Sequence, residues 1–279
     1  MRIMNNVAKL ILLSISVYLI WLLATYMLEG RVSLLERVDP VGRMEYAIIT
    51  NIFIGTVFGF IMLKSSLHNK FVTQKQLGFQ SPKRIIILVA VAAFVGFVLF
   101  FTGNPASVDP IVIANVFSQT LPTSIAEVVV CWIVVGTAFE ALVKRKMEKR
   151  EDNNVIKVNR IRNDKTASIL AILVGAAVSI VLFGIYHFAH SPPFNQLNMV
   201  LFLMIPAILT SMFYFIGREV YSTITIHNFL ALIGVLGSID VTTLTQPLYP
   251  VMLIALVSII VLIASDLYLI RRTEMKHQL

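Results

Sequence analysis

The sequence predicts an all-α fold, a polytopic membrane helical bundle of about eight transmembrane helices with both termini cytoplasmic. Composition, the spacing of apolar runs and an uneven spread of Lys and Arg predict it. Of 279 residues, 57% are hydrophobic and 14% charged, against roughly 25% charged in a soluble domain. A helix rises about 1.5 Å per residue and the hydrocarbon core is about 30 Å thick, so a crossing takes about 20 mostly apolar residues. Such runs fall at about 7–28, 45–64, 84–103, 122–143, 166–188, 197–216, 219–238 and 249–270, which makes 1–279 a single membrane domain.

The first run follows Arg2 and Lys9, is too long for a signal-peptide core and lacks a small-x-small cleavage site, so it reads as a retained membrane helix. Gly217 and Arg218 divide the sixth run from the seventh, and a Pro-containing turn over Asp240–Pro250 divides the seventh from the eighth. Gly55 and Gly59 form a GxxxG in the second run, a close-packing signature.

Alternate loops of a membrane bundle lie on opposite sides, and Lys and Arg collect on the cytoplasmic one. With this division, 20 of the 23 basic residues fall on the N-terminal side, and only Arg31, Arg37 and Arg43 fall on the other. That asymmetry supports the division and also accounts for the net charge of +8. The run KRKMEKREDNNVIKVNRIRNDK at 144–165 is a topogenic, lipid-facing cytoplasmic loop on this reading. Nucleic acid is not a partner, because no soluble segment is long enough to build a basic surface. The lipid bilayer of the cell membrane is. Cys131 is the sole cysteine, so internal disulfides, CxxC redox motifs and zinc fingers are excluded.

A charge at the bilayer centre costs about 2.5–3.5 kcal/mol on insertion scales, so each buried one calls for a reason. Glu127 in IAEVVVCWIVVG lies about five residues inside the fourth run. His187 and His190 in FGIYHFAH end the fifth run three residues apart. His227, beside Asn228 in STITIHNFLALIG, lies near the middle of the seventh. Glu140 and Asp266 sit within about five residues of basic residues and read as interfacial. Glu127, His187 and His227 are placed to meet in a pocket opening away from the cytoplasm. A carboxylate beside neutral imidazoles serves as general base on a water, with a second imidazole stabilising an oxyanion. Three His and one Glu (Glu127, His187, His190, His227) also form a zinc set with an open water position. Alternatively, a Glu–His pair simply binds helices together.

The order and spacing of these residues resemble the CPBP family, the CAAX-protease and bacteriocin-processing (Abi) intramembrane proteases. That family carries EExxxR early in one helix, a basic loop, FxxxH at the end of the next helix, and HxxxN or HxxxD two helices later. Here AEVVVC at 126–131 stands at the first motif, Phe183 with His187 at the second, and His227 with Ala231 at the third. The resemblance covers residues 122–236. It implies a fold of about eight helices and hydrolysis of a membrane-associated or exported peptide or protein, with Glu127 and His187 activating water and His227 stabilising the oxyanion. Phe183, His190 and Asn228 would be supporting residues. The chain has one glutamate where the motif has two, Cys131 or Trp132 in place of the arginine, and Ala231 in place of Asn or Asp. A catalytically inactive relative acting as membrane scaffold or peptide-binding protein is therefore the alternative. A solute transporter fits less well, since no pair of Gly/Pro-broken helices recurs in two matching halves.

Overall fold

The computed structural model describes residues 2–34, 39–152, 160–238 and 241–273. Residues 153–159 of the basic loop lie outside the described residues, as do the side chains of 148–165. All regular structure among the described residues is helical. The helices are α1 (Arg2–Leu28), α2 (Pro40–His68), a short α3 (Gln74–Leu77), α4 (Pro82–Thr102), α5 (Pro110–Met147), α6 (Arg160–His187), α7 (Leu197–Phe215), α8 (Val220–Leu236) and α9 (Tyr249–Arg271). Among the described residues seven helical segments are long and apolar enough to cross a membrane, with α3 and α4 counting as one. This is a multi-pass membrane protein; α8, with 17 residues, is a shorter apolar helix.

Helix α5 forms the centre of the bundle. Of its most apolar stretch 89% is buried, against 17% in the α3–α4 segment, whose Ile86 and Phe94 face outward. Every side chain from Val128 to Val135 is buried. An outward belt of Leu, Ile and Phe suits a helix whose solvent is lipid, where only the backbone has to be satisfied internally.

The fourth helix begins twelve residues before the boundary expected at 122. Asp109 caps it, accepting from Ile111 N at 2.7 Å and Val112 N at 3.3 Å, with Pro110 in the first turn where its missing N–H has no cost. The polar run Asn115–Gln119–Thr120 reads as loop in the sequence because the partners of Asn115 and Gln119 are distant. Asn115 Nδ2 donates to Leu244 O and Gln246 O, both at 2.8 Å, and its Oδ1 accepts from Leu248 N at 2.9 Å. Glu127 consequently lies in the interior of a long helix rather than near its start.

Backbone contacts sort the loops onto two ends. At one end Arg145 donates to Lys70 O at 2.9 Å, Val220 N to Gly78 O at 3.1 Å, and Arg271 to Gln80 O at 3.1 Å. Glu140 and Arg218 pair there, and Asp266 accepts from Tyr221 Oη at 2.8 Å and from Arg271 Nε at 3.1 Å. At the other end Ser191 meets Glu29 and Asn115 meets the 244–248 turn.

Helices α2 and α5 wind more widely than an α-helix over Ala47–Phe58 and Val128–Gly136, as does the end of α9 over Asp266–Arg271. Such π-type winding often marks functional sites, and in α5 it starts directly after Glu127. The two wide stretches face each other. A Cβ on Gly55 would lie 2.5 Å from Ala126 Cβ, and one on Gly59 would lie 2.6 Å from Val129 Cγ1. The GxxxG face is thus a contact with α5, and only glycine allows the approach. Gly59→Leu is expected to overpack this contact and destabilise the protein by about 1–3 kcal/mol. Thermal unfolding in detergent checks it, and an unchanged midpoint would show that α2 and α5 separate freely.

Candidate functional site

Glu127 points inward from α5 and is only 4% exposed. His227 of α8 reaches it directly, with Nε2 2.7 Å from Oε2, while His227 Nδ1 lies 3.0 Å from Thr210 Oγ1 on α7. His187, the last residue of α6, holds Nδ1 2.8 Å from Phe183 O and Nε2 4.0 Å from Glu127 Oε1. The ring of Phe183 wedges between the two imidazoles, with centroids 4.5 Å from His187 and 5.2 Å from His227. Trp132 closes the other side of His227 at 5.3 Å and donates to Ser211 Oγ at 2.8 Å. Three helices, α5, α6 and α8, therefore bring together Glu127, His187 and His227, and a fourth, α7, supplies Thr210.

The tautomers follow from the partners. A backbone carbonyl only accepts, so His187 Nδ1 carries the hydrogen and Nε2 presents a lone pair. The carboxylate likewise only accepts, so His227 Nε2 donates to Glu127 and its Nδ1 accepts from the Thr210 hydroxyl. Glu127 Oε1 and His187 Nε2 are then two acceptors 4.0 Å apart. That separation exceeds a direct hydrogen bond and suits a donor with two hydrogens placed between them.

These groups line a cavity of about 130 Å³ whose other walls include Leu203, Pro206, Leu230 and Ala231. With about 10–15 Å³ needed per water on this measure, it holds several waters or a side chain. Ala231 faces the cavity and adds no polar group. Asn228, one residue after His227, turns elsewhere: its Oδ1 accepts from Ser124 at 3.0 Å and its Nδ2 donates to Phe117 O at 3.3 Å, and it does not line the cavity. Cys131 is fully buried, with its carbonyl accepting from Ser179 Oγ at 2.9 Å.

Sequence reasoning places His190 on the helical face of His187, but α6 ends at His187 and His190 sits in the turn beyond it. It still lines the cavity, with its Nδ1 3.2 Å from Glu29 Oε2. Glu29 and the cavity-lining Arg43 were missed, because Glu29-Gly30-Arg31 and the charges around Pro40 read as ordinary loop residues. Glu29 is in fact fully buried, and Arg43 Nη1 donates to Gln119 Oε1 at 2.5 Å. Only the burial of Glu29 separates it from a loop charge, and no local pattern carries that signal. Tyr46 and Tyr186 hydroxyls meet at 3.0 Å behind this cluster, and the Trp21 ring stacks on Tyr186 at 3.7 Å.

A zinc ion takes four donors, nitrogen or oxygen at about 2.0–2.2 Å. Among the described residues no group of three His, Cys, Asp or Glu is arranged to hold an ion. His227 Nε2, the nitrogen nearest Glu127, is committed to that carboxylate, so the donors present do not fit zinc as placed. Comparison with protein-family models, curated proteins and solved structures gives no match for this chain.

Proposed function

We propose that the protein is an intramembrane endopeptidase of the CPBP type, acting on a membrane-associated or exported peptide. One observation carries the reading: Glu127 Oε1 and His187 Nε2, both acceptors, stand 4.0 Å apart on a partly open, mostly apolar cavity. A water donating to both would keep a lone pair for attack on a peptide carbonyl. Glu127 takes the water proton as general base. Once Glu127 is neutral it is a poorer acceptor, and the His227 N–H turns to the oxyanion formed beside it. Thr210 keeps the His227 tautomer that this role needs.

The test uses purified protein in vesicles with a set of synthetic single-span transmembrane peptides, fragments being read by mass spectrometry. Wild type is expected to cleave and Glu127→Ala to be inactive although folded. Equal turnover by both would sink the reading. Ala231 on the cavity wall and the apolar residues after Glu127 favour a second reading, a non-catalytic relative that binds a membrane peptide in this cavity. Saturable binding of such a peptide without cleavage would establish it.

The same proposal includes eight crossings, α8 being one, with both termini and the basic loops in the cytoplasm. Its support is the Lys/Arg asymmetry together with the clustering of residues 70, 78–80, 145, 218 and 271 at one end. In a Cys131→Ala background, Ala106→Cys is expected to react with an impermeant maleimide added to whole cells, and Lys75→Cys only after lysis. The opposite pattern would invert the orientation.

A further inference from the structure

A second acid–base pair, Glu29 with His190, lies at the cavity wall, His190 lining the cavity and Glu29 standing behind it. The Glu29 carboxylate, at the end of α1, accepts from Ser191 N at 2.8 Å and from Ser191 Oγ, and lies 3.2 Å from His190 Nδ1. A carboxylate surrounded by donors supplies no hydrogen of its own, so the hydrogen in the last contact belongs to Nδ1. His190 Nε2 therefore presents a lone pair. It is buried, has no hydrogen-bond partner among the described residues, and belongs to a residue only 8% exposed that lines the cavity. The Tyr186 ring stands edge-on to the imidazole at 4.8 Å, and the His187 ring lies at 5.3 Å. Buried polar atoms are nearly always paired, and those that are not call for an explanation such as a catalytic role.

We infer that His190 is the catalytic residue that carries the proton to the leaving nitrogen, with Glu29 as its positioning residue. This rests on the proteolytic reading and completes its proton path. The water oxygen bonds to the carbonyl carbon as Glu127 takes one water proton, and the carbonyl π pair moves to oxygen. That proton passes to His190 Nε2, giving an imidazolium whose Nδ1–H stays on Glu29. The C=O then re-forms, the C–N bond breaks with its electron pair on nitrogen, and the Nε2 proton joins that nitrogen. The products are a carboxylic acid and an amine, with Glu127 and His190 back in their starting forms. This assignment parallels the carboxylate–imidazole pairing by which hydrolases hold one tautomer and stabilise the imidazolium.

The experiment uses the full chain in vesicles and a single-span peptide that the wild type cleaves, together with its analogue bearing an ester at the scissile bond. His190→Gln is expected to lower amide turnover about 10²–10⁴-fold, and the ester by much less, since an alcohol leaves with less help from a proton. Glu29→Gln is expected to follow the same amide-selective pattern, and Glu29→Asp to recover part of the loss. Imidazole ¹⁵N spectra of the wild type are expected to show His190 with a bare Nε2. Equal losses on amide and ester, or a protonated neutral Nε2, would overturn the inference. Full cleavage by His190→Gln beside an inactive Glu127→Ala overturns this role alone. No cleavage of any peptide by the wild type overturns the proteolytic reading and this role with it.

Discussion

Replacing Glu127 with glutamine is expected to lower peptide hydrolysis by about 10²–10⁴-fold, the range for loss of a general base, while the protein stays folded. Glutamine has the same shape and keeps one carbonyl oxygen, which can turn to His227 Nε2–H and preserve the 2.7 Å contact. The amide NH₂ then faces His187 Nε2, where Glu127 Oε1 stood at 4.0 Å. An amide nitrogen does not take a proton from water, so the base is lost and the packing is retained. Alanine at the same position behaves differently. It leaves the buried His227 N–H without its partner, at a cost of about 1–3 kcal/mol. Thermal unfolding should thus rank wild type and Glu127→Gln close together and Glu127→Ala below them, while both variants lose turnover. A Glu127→Gln protein with wild-type turnover would remove the carboxylate from the mechanism.

Arg218→Ala carries the largest expected loss of stability, about 3–5 kcal/mol for breaking a buried ion pair from one side. Arg218 holds Glu140 in a two-pronged contact, Nη1 to Oε2 at 2.8 Å and Nη2 to Oε1, and Glu140 is 6% exposed. Burial works against the guanidinium charge, but the hydrogen bonds and charge of Glu140 outweigh it and hold the Arg218 pKa above the usual arginine value. Arg218 is therefore charged at any working pH. Arg218 also adopts φ +52, a left-handed conformation costing roughly 1–2 kcal/mol for a residue with a Cβ, which shows how firmly the surroundings hold it. Its Nη1 reaches Gln76 O at 3.2 Å as well, tying α3 to the α7–α8 turn. The alanine variant leaves a carboxylate buried without a counter-charge. Removing both charges, as in Arg218→Met with Glu140→Leu, should recover most of the loss, since an apolar pair of similar volume is often neutral. A single variant as stable as wild type would mean that water reaches Glu140.

The membrane class and most segment positions were legible because lipid imposes a simple rule: every crossing needs a long apolar run. The rule fails for α5, whose first three turns carry Asn115, Gln119 and Thr120. Asn115 and Gln119 are polar because they meet the 244–248 turn and Arg43, contacts more than 70 residues away in the chain that no local window holds, while Thr120 bonds back to Val116 O in its own helix. Glu127, His187 and His227 were visible because a titratable group inside an apolar run is costly and stands out. Glu29 and Arg43 lie just beyond such runs, where charge is cheap, so nothing marked their burial. Asn228 had the opposite fate: adjacency to His227 suggested a shared task, but successive helical residues point about 100° apart, and it faces Ser124 instead.

The brevity of α8 is tolerable because of where it sits. Its 17 residues rise about 26 Å, a few ångströms short of a hydrocarbon core of about 30 Å. A lipid-facing helix of that length would make the bilayer thin around it, at fractions of a kcal/mol per ångström of mismatch. No residue of α8 is exposed, and α4, α5 and α7 pack around it, so the shortfall falls inside the protein rather than on the lipid. Changes in bilayer thickness therefore act on the outer helices, and the buried imidazole of His227 is insulated from them.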